Sequence, residues 1–162
     1  MATEESMVVT ERQHELIIED MQILMPNFVE FVEDVLEQFI NENPEVTKIF
    51  GWVNDNRTGT EQRSHPRFKN HARAIGTALT ECLRDLNGIK QHEEKLSYLG
   101  SLHNKKKVQY HFYEKLGQCI VNQVENRVGS NWNAEKKLAW KKAYEIITFY
   151  MIVRFWMGNY GV

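Results

Sequence analysis

Apolar residues along this chain recur at steps of three and four almost from end to end, the spacing that gathers side chains on one face of an α-helix. Thr10 is placed to cap a first helix reaching Leu24, with Leu16, Ile17, Met21 and Leu24 on one side. Pro26 restarts the chain, and Phe28, Phe31, Val32, Val35, Leu36, Phe39 and Ile40 form a broad apolar stripe on a second helix. Asn43-Pro44 stops it, because a proline ring disfavours the helical conformation of the residue before it. Pro44 to Phe50 suits a short helical turn, and Gly51 to Ser64 reads as a loop with room for one turn. Ser64 is the expected cap of the next helix, with Pro66 in its first turn and an end near Leu86, where Asn87-Gly88 breaks it. A shorter helix from His92 to His103 leads into a basic corner, Asn104 to Lys107. Val108 to Arg127 and Asn133 to Met157 are the last two helices, separated by Gly129-Ser130-Asn131, with Leu138, Tyr144, Ile147, Tyr150 and Met151 among the apolar positions of the final one.

No segment alternates as a strand would, no repeat of fixed period occurs and no low-complexity tract interrupts the pattern. The expectation is one all-α domain of seven or eight helices over residues 10–157, after a disordered segment at 1–9 and before a tail at 158–162. A length of 162 residues with 42% hydrophobic composition supports a single sizeable core. Twenty basic residues against 22 acidic ones leave no electrostatic footprint for nucleic acid. The apolar tract Ile146 to Met157 is too short to span a bilayer and carries Arg154, and no cleavable leader opens the sequence, so a soluble cytoplasmic protein is expected. Cys82 and Cys119 fall on apolar faces and are expected as two buried free thiols.

Two histidines break the apolar pattern where chemistry is possible. His71 shares a face with Phe68, Ile75, Leu79, Cys82 and Leu83, and His103 shares one with Leu96 and Leu99. Two imidazoles on separate helices of an all-helical chain are what is needed to hold a flat metal cofactor between them. Competing metal readings fail on spacing: Glu11-x-x-His14 is half of a di-iron carboxylate motif with no second copy, and no His-Glu-x-x-His occurs. His14, His65, His92 and His111 are therefore assigned to surface or capping positions.

The joint spacing resembles the globins from about Thr10 to Met157. Asn43-Pro44-Glu45-Val46-Thr47-Lys48-Ile49-Phe50 is similar to the short third globin helix with its proline and haem-stacking phenylalanine, and His71 follows Phe50 by 21 residues, the globin interval to the distal histidine. Ile75, one turn later, matches the distal apolar position, and Leu36, 14 residues before Phe50, matches the pocket position on the second helix. His103, with Leu99 and Leu102 before it, is similar to the proximal iron ligand. Val108, Tyr113 and Gly117 match the valine, aromatic and glycine of the following helix, and Ala139-Trp140 the start of the last one.

What the resemblance implies is a haem b held without covalent links, since no Cys-x-x-Cys-His is present. His103 is the implied proximal iron ligand, its second ring nitrogen fixed by Ser101, Tyr98 or the carbonyl of Leu99. Phe50, Ile75, Leu36, Leu99, Leu102, Val108 and Tyr113 are the implied lining, with Lys106 or Lys107 facing a propionate and Arg67 and Arg73 as rivals. His71 has two possible jobs, a hydrogen bond to bound oxygen or direct ligation as sixth ligand. The 32-residue interval from His71 to His103 is a few residues longer than in vertebrate oxygen-storing globins. An insertion at Leu86 to Gln91 would give the two iron-facing helices slack, which favours a six-coordinate, invertebrate or neuroglobin-like globin active in redox chemistry, sensing or signalling. Its partners are then oxygen or another diatomic gas and an electron donor or acceptor. A five-coordinate oxygen store or carrier is the alternative, and a haem-free helical interaction module a lesser one.

Overall fold

The computed structural model describes residues 4–50 and 59–153. Among them every regular element is helical. Helix α1 spans Glu11–Leu24, α2 Phe28–Glu42, α3 Thr47–Phe50, α4 Gly59–Gln62, α5 Pro66–Arg84, α6 Glu93–Lys105, α7 Tyr110–Val128 and α8 Ala134–Thr148. The cap expected at Thr10 holds, and the structure adds one at Asn133. Thr10 and Gln13 exchange side-chain and backbone hydrogen bonds at 3.0 Å, a reciprocal capping box, and Asn133 Oδ1 accepts from the Lys136 amide at 2.9 Å.

Helix α2 is the spine. Its stripe is buried throughout, and at about 1.5–3 kcal/mol for each fully buried large apolar side chain it supplies a large share of the core. The stripe meets α5 on one side and α7 on the other, while α1 packs on α8. Gly76 of α5 packs against Phe28 and Val32, where a Cβ would sit in ordinary contact at 3.5–3.6 Å.

One contact ties the first helix to the last long one. Asp20, fully buried, accepts from Lys136 Nζ at 2.5 Å and from Trp140 Nε1 at 2.9 Å. Two hydrogen bonds and an opposite charge compensate the desolvated carboxylate, without which its burial would be costly. Trp140 and its neighbour Ala139 lie inside α8 and are buried.

Several boundaries depart from the sequence expectation. Part of the segment expected to be disordered over 1–9 is ordered: Glu4–Ser6 form a 3₁₀ turn, and Met7 and Val9 are buried in the core, while residues 1–3 lie outside the described residues. His65, not Ser64, caps α5, its Nδ1 accepting from the Arg67 amide at 3.1 Å. That helix ends at Arg84, and α6 starts one residue past His92. Lys107 takes a left-handed conformation with φ 58°, and α7 begins at Tyr110, two residues past Val108. The last helix is not uniformly α: after Thr148 it loosens into a π turn, Phe149–Val153. Leu138, expected among the apolar positions, is 63% exposed. Gly51 to Thr58, Arg154 to Met157 and the tail at 158–162 fall outside the described residues. Both cysteines are buried free thiols, as expected, and burial pushes the Cys82 thiol up to about 11 and the Cys119 thiol up to about 12.

Candidate haem site

The proximal side is built from α6 outward. His103 sits in its last turn with Nδ1 2.7 Å from the carbonyl oxygen of Leu99, one turn earlier. Of the three acceptors open at the sequence level, Leu99 is the one used, because Ser101 donates its own hydroxyl to the Tyr98 carbonyl at 2.7 Å. With Nδ1 as the donor in that bond, Nε2 is left as the basic nitrogen, the form in which imidazole binds a metal. Tyr113 of α7 lies beside the ring with centroids 5.8 Å apart, and burial holds its phenol up at about 12. Leu96 is buried beneath and Leu99 half-buried.

Helix α6 is itself clamped. Gly100 is buried against the π turn, and a Cβ on it would run into the backbone carbonyl of Met151. Only glycine allows that approach. Gly117 on α7 is equally committed, since the Tyr144 ring fills the place of its missing side chain while the Tyr144 hydroxyl donates to the Tyr113 carbonyl at 2.6 Å.

The segment joining α5 to α6 corrects one expectation. Instead of a slack corner, Leu86–His92 winds as a 3₁₀ helix with a kink at Gly88. Leu86 and Ile89 are buried in the core, and His92 Nε2 lies 2.9 Å from an Asp85 carboxylate oxygen across the segment. The longer interval between the two histidines is therefore packed structure.

On the distal side His71 projects from the second turn of α5. Its ring meets Phe50 edge-on with centroids 5.1 Å apart. Burial first, and the nearby charge of His103 second, lower the His71 pKa to about 4, so the ring is neutral at physiological pH. Ile75 and Phe50 are half-buried against the core, and Leu36 on α2 is buried at 1% exposure. Val108 is half-buried against the core, whereas Leu102 and Lys107 are exposed, as are Arg67 and Arg73.

The structure thus brings His71 to Phe50 and His103 to Tyr113. Two neutral-capable imidazoles from separate helices, one with its tautomer fixed and both among apolar side chains, fit a planar iron porphyrin. Among the described residues there is no competing cluster of three or more His, Cys, Asp or Glu that could hold a metal ion, and no helix long and apolar enough to cross a membrane.

Sequence reasoning missed the charged frame on the distal side. Arg63, just after α4, places Nη1 at 2.5 Å from Asp34 and 2.8 Å from Glu37, and Nη2 at 3.5 Å from Glu33. The signal was present as three carboxylates at spacings of one and three on α2, on the flank of an otherwise apolar stripe.

Comparison with known proteins agrees with this geometry. The Globin family profile matches residues 33–151. The crystal structure of the neuroglobin from the photosymbiotic marine acoel Symsagittifera roscoffensis superposes with a TM-score of 0.85 at 55% identity, covering 90% of this chain and 98% of that one. Among curated proteins, an anaerobic nitrite reductase of Brassica napus is 27% identical over 141 residues, covering 85% of this chain and 86% of its own length. An anaerobic nitrite reductase of Casuarina glauca is likewise 27% identical over 141 residues, covering 85% of this chain and 91% of its own length.

Proposed function

Since the chain belongs to the globin family, we propose that it holds haem b with His103 as proximal ligand and His71 as the sixth ligand, and that it acts in redox chemistry, sensing or signalling rather than in oxygen storage. The observation that carries this reading is the placing of His71: an imidazole packed edge-on against Phe50, with burial lowering its pKa. When bound, the haem supplies a one-electron couple and an exchangeable ligand position. The chain's residues do the rest. Leu99 holds the His103 ring by its Nδ1 proton and raises the basicity of Nε2, Tyr113 limits ring rotation, and Phe50 restricts tilt of a porphyrin against its face. Apolar Leu36 and Ile75 exclude water without offering a hydrogen bond, which leaves His71 as the distal nitrogen for either ligation or hydrogen bonding. The similarity to a neuroglobin over nearly all of both chains supports the same reading.

Under this reading external ligands reach only the fraction of molecules in which His71 has left the iron, and their apparent dissociation constant is the intrinsic one divided by that fraction. Oxygen, carbon monoxide and nitric oxide are the ligands in question. Nitrite reduction, the activity in the names of the plant relatives, is the turnover to assay first, because it needs one electron and two protons per nitrite and the same vacated position. The absorption spectrum of the ferrous protein without added ligand is the test. Sharp, split visible bands that become a broad five-coordinate spectrum in His71→Ala are expected, with carbon monoxide binding faster and more tightly to the variant. A wild-type spectrum that is already five-coordinate would assign the protein to reversible oxygen binding instead, and the absence of any Soret band would leave a haem-free interaction module.

A further inference from the structure

Helix α5 reaches its place over the pocket through a short lead-in that is held by charge. Arg63 lies between α4 and α5, eight residues before His71. Its guanidinium is gripped by Asp34, Glu37 and Glu33, all from one flank of α2. Burial alone would lower the Arg63 pKa, yet the hydrogen bonds and charges of Glu37 and Asp34 outweigh it and raise the pKa instead. Thr60 adds a hydroxyl bond to the second oxygen of Glu37 at 2.8 Å, so both ends of α4 are fastened to α2. From there the backbone runs tightly into α5: the His65 amide donates to the Gln62 carbonyl at 2.8 Å, and the Lys69 amide to the His65 carbonyl at 3.2 Å. Asp34 cannot relax away from Arg63, because its other oxygen is held by Arg127 of α7 at 2.5 Å. Glu33 is 12% exposed and Arg63 28%, so these charges are less screened than surface pairs.

We propose that Arg63 is the positioning residue of the distal side: its grip on α2 holds α5 where His71 can reach the iron, and so sets the fraction of molecules open to external ligands. The inference rests on His71 being the sixth ligand. Arg63 touches neither histidine and acts through the helix it anchors. With the guanidinium gone, Glu37 loses its cationic partner, Asp34 keeps Arg127 and Glu33 keeps Lys69 of α5 at 3.1 Å, and the lead-in loses its own fork of charge toward α2. The position that is lost is the closed one, so the open fraction rises. Lysine keeps the charge and lacks the bidentate reach, and restores the grip in part.

Carbon monoxide combination with the ferrous holoprotein, measured by stopped flow, tests this in four proteins: wild type, Arg63→Met, His71→Ala and the double variant. Arg63→Met is expected to speed combination by about threefold or more when His71 is present, following the rise in open fraction, and to change nothing when His71 is alanine. Arg63→Lys should fall between wild type and Arg63→Met. An equal acceleration in both backgrounds, or none in either, overturns the proposal. Should Arg63→Met fail to fold, Glu37→Gln removes one of the three grips and is expected to move the rate the same way by a smaller factor. A second readout needs no haem: amide hydrogen exchange of the apoprotein should quicken at the start of α5 and leave α6 unchanged, whereas uniform quickening would mark Arg63 as a general stabiliser and overturn the proposal. A five-coordinate wild-type spectrum would defeat the sixth-ligand reading separately, and the exchange pattern would then still decide whether Arg63 anchors α5.

Discussion

The two histidines are held by different kinds of force. On the proximal side, beside the Tyr113 ring, the main restraints involve the backbone: His103 is bonded to a carbonyl of its own helix, and that helix is pressed at Gly100 onto the main chain of the π turn. On the distal side they belong to side chains: an edge-on ring contact at Phe50, and ion pairs that fasten the lead-in of α5 to α2. Backbone contacts have one arrangement, because a carbonyl and a Cα cannot be repacked without moving a helix. Side-chain contacts have several, separated by rotamer changes. Under the proposed function, the difference would let one fold offer the same metal a permanent ligand and an exchangeable one.

The comparison breaks most visibly if the proposed proximal ligand is removed. His103→Ala is expected to lose most of its haem, and with it the stability that binding contributes, about 4 kcal/mol when free haem exceeds its dissociation constant a thousandfold. Thermal melts of the variant with and without added haem should coincide, and unchanged haem content would reject the assignment. Phe50→Ala comes next. Truncating a core phenylalanine costs about 3–5 kcal/mol, and the half-buried Phe50 should fall at or below the lower end of that range. Its loss should appear as faster haem transfer to an acceptor protein, whereas equal destabilisation of apo- and holoprotein would make it an ordinary core aromatic.

Gly100→Ala sharpens the proximal half. A methyl forced against the Met151 carbonyl should cost about 1–3 kcal/mol, typical of overpacking, and resonance Raman should show a shifted iron–histidine stretch in the five-coordinate ferrous form produced by His71→Ala. A stretch identical to that of the His71→Ala protein alone would show that α6 moves without carrying His103. The smallest effect belongs to the link between the halves. His92→Ala removes a half-exposed contact to Asp85, worth about 0.5–1 kcal/mol, and chemical denaturation should register it while the ferrous spectrum stays as it was. A changed spectrum would mean that the 3₁₀ segment transmits position between α5 and α6.

Periodicity made the long helices legible because each has a one-sided apolar face, and the α2 stripe is buried residue for residue as its spacing predicts. The globin resemblance made the fold and family legible, since it rests on intervals between Pro44, Phe50, His71 and His103, which survive divergence of the residues between them. Three things were hidden. Leu138 follows the apolar rhythm of α8 yet faces outward, because periodicity gives a phase only to within about one residue. The 3₁₀ path of Leu86–His92 follows from the packing of Leu86 and Ile89, which no local pattern announces. The partners of Arg63 and of Asp20 lie 26 to 30 and 116 to 120 residues away, and charge pairing at such separations is invisible to a reading made in windows.

The clasp among Asp20, Lys136 and Trp140 bears on how the chain is made. Its contacts have about the greatest sequence separation the described fold contains, so the loop they close is among the last whose entropy cost is repaid during folding. On the ribosome, α1 can form as soon as Thr10 and Gln13 are free to cap it, but Asp20 has no counter-charge until residue 136 has been synthesised. Until then the carboxylate keeps α1 open to water, and the docking of α8 closes the core.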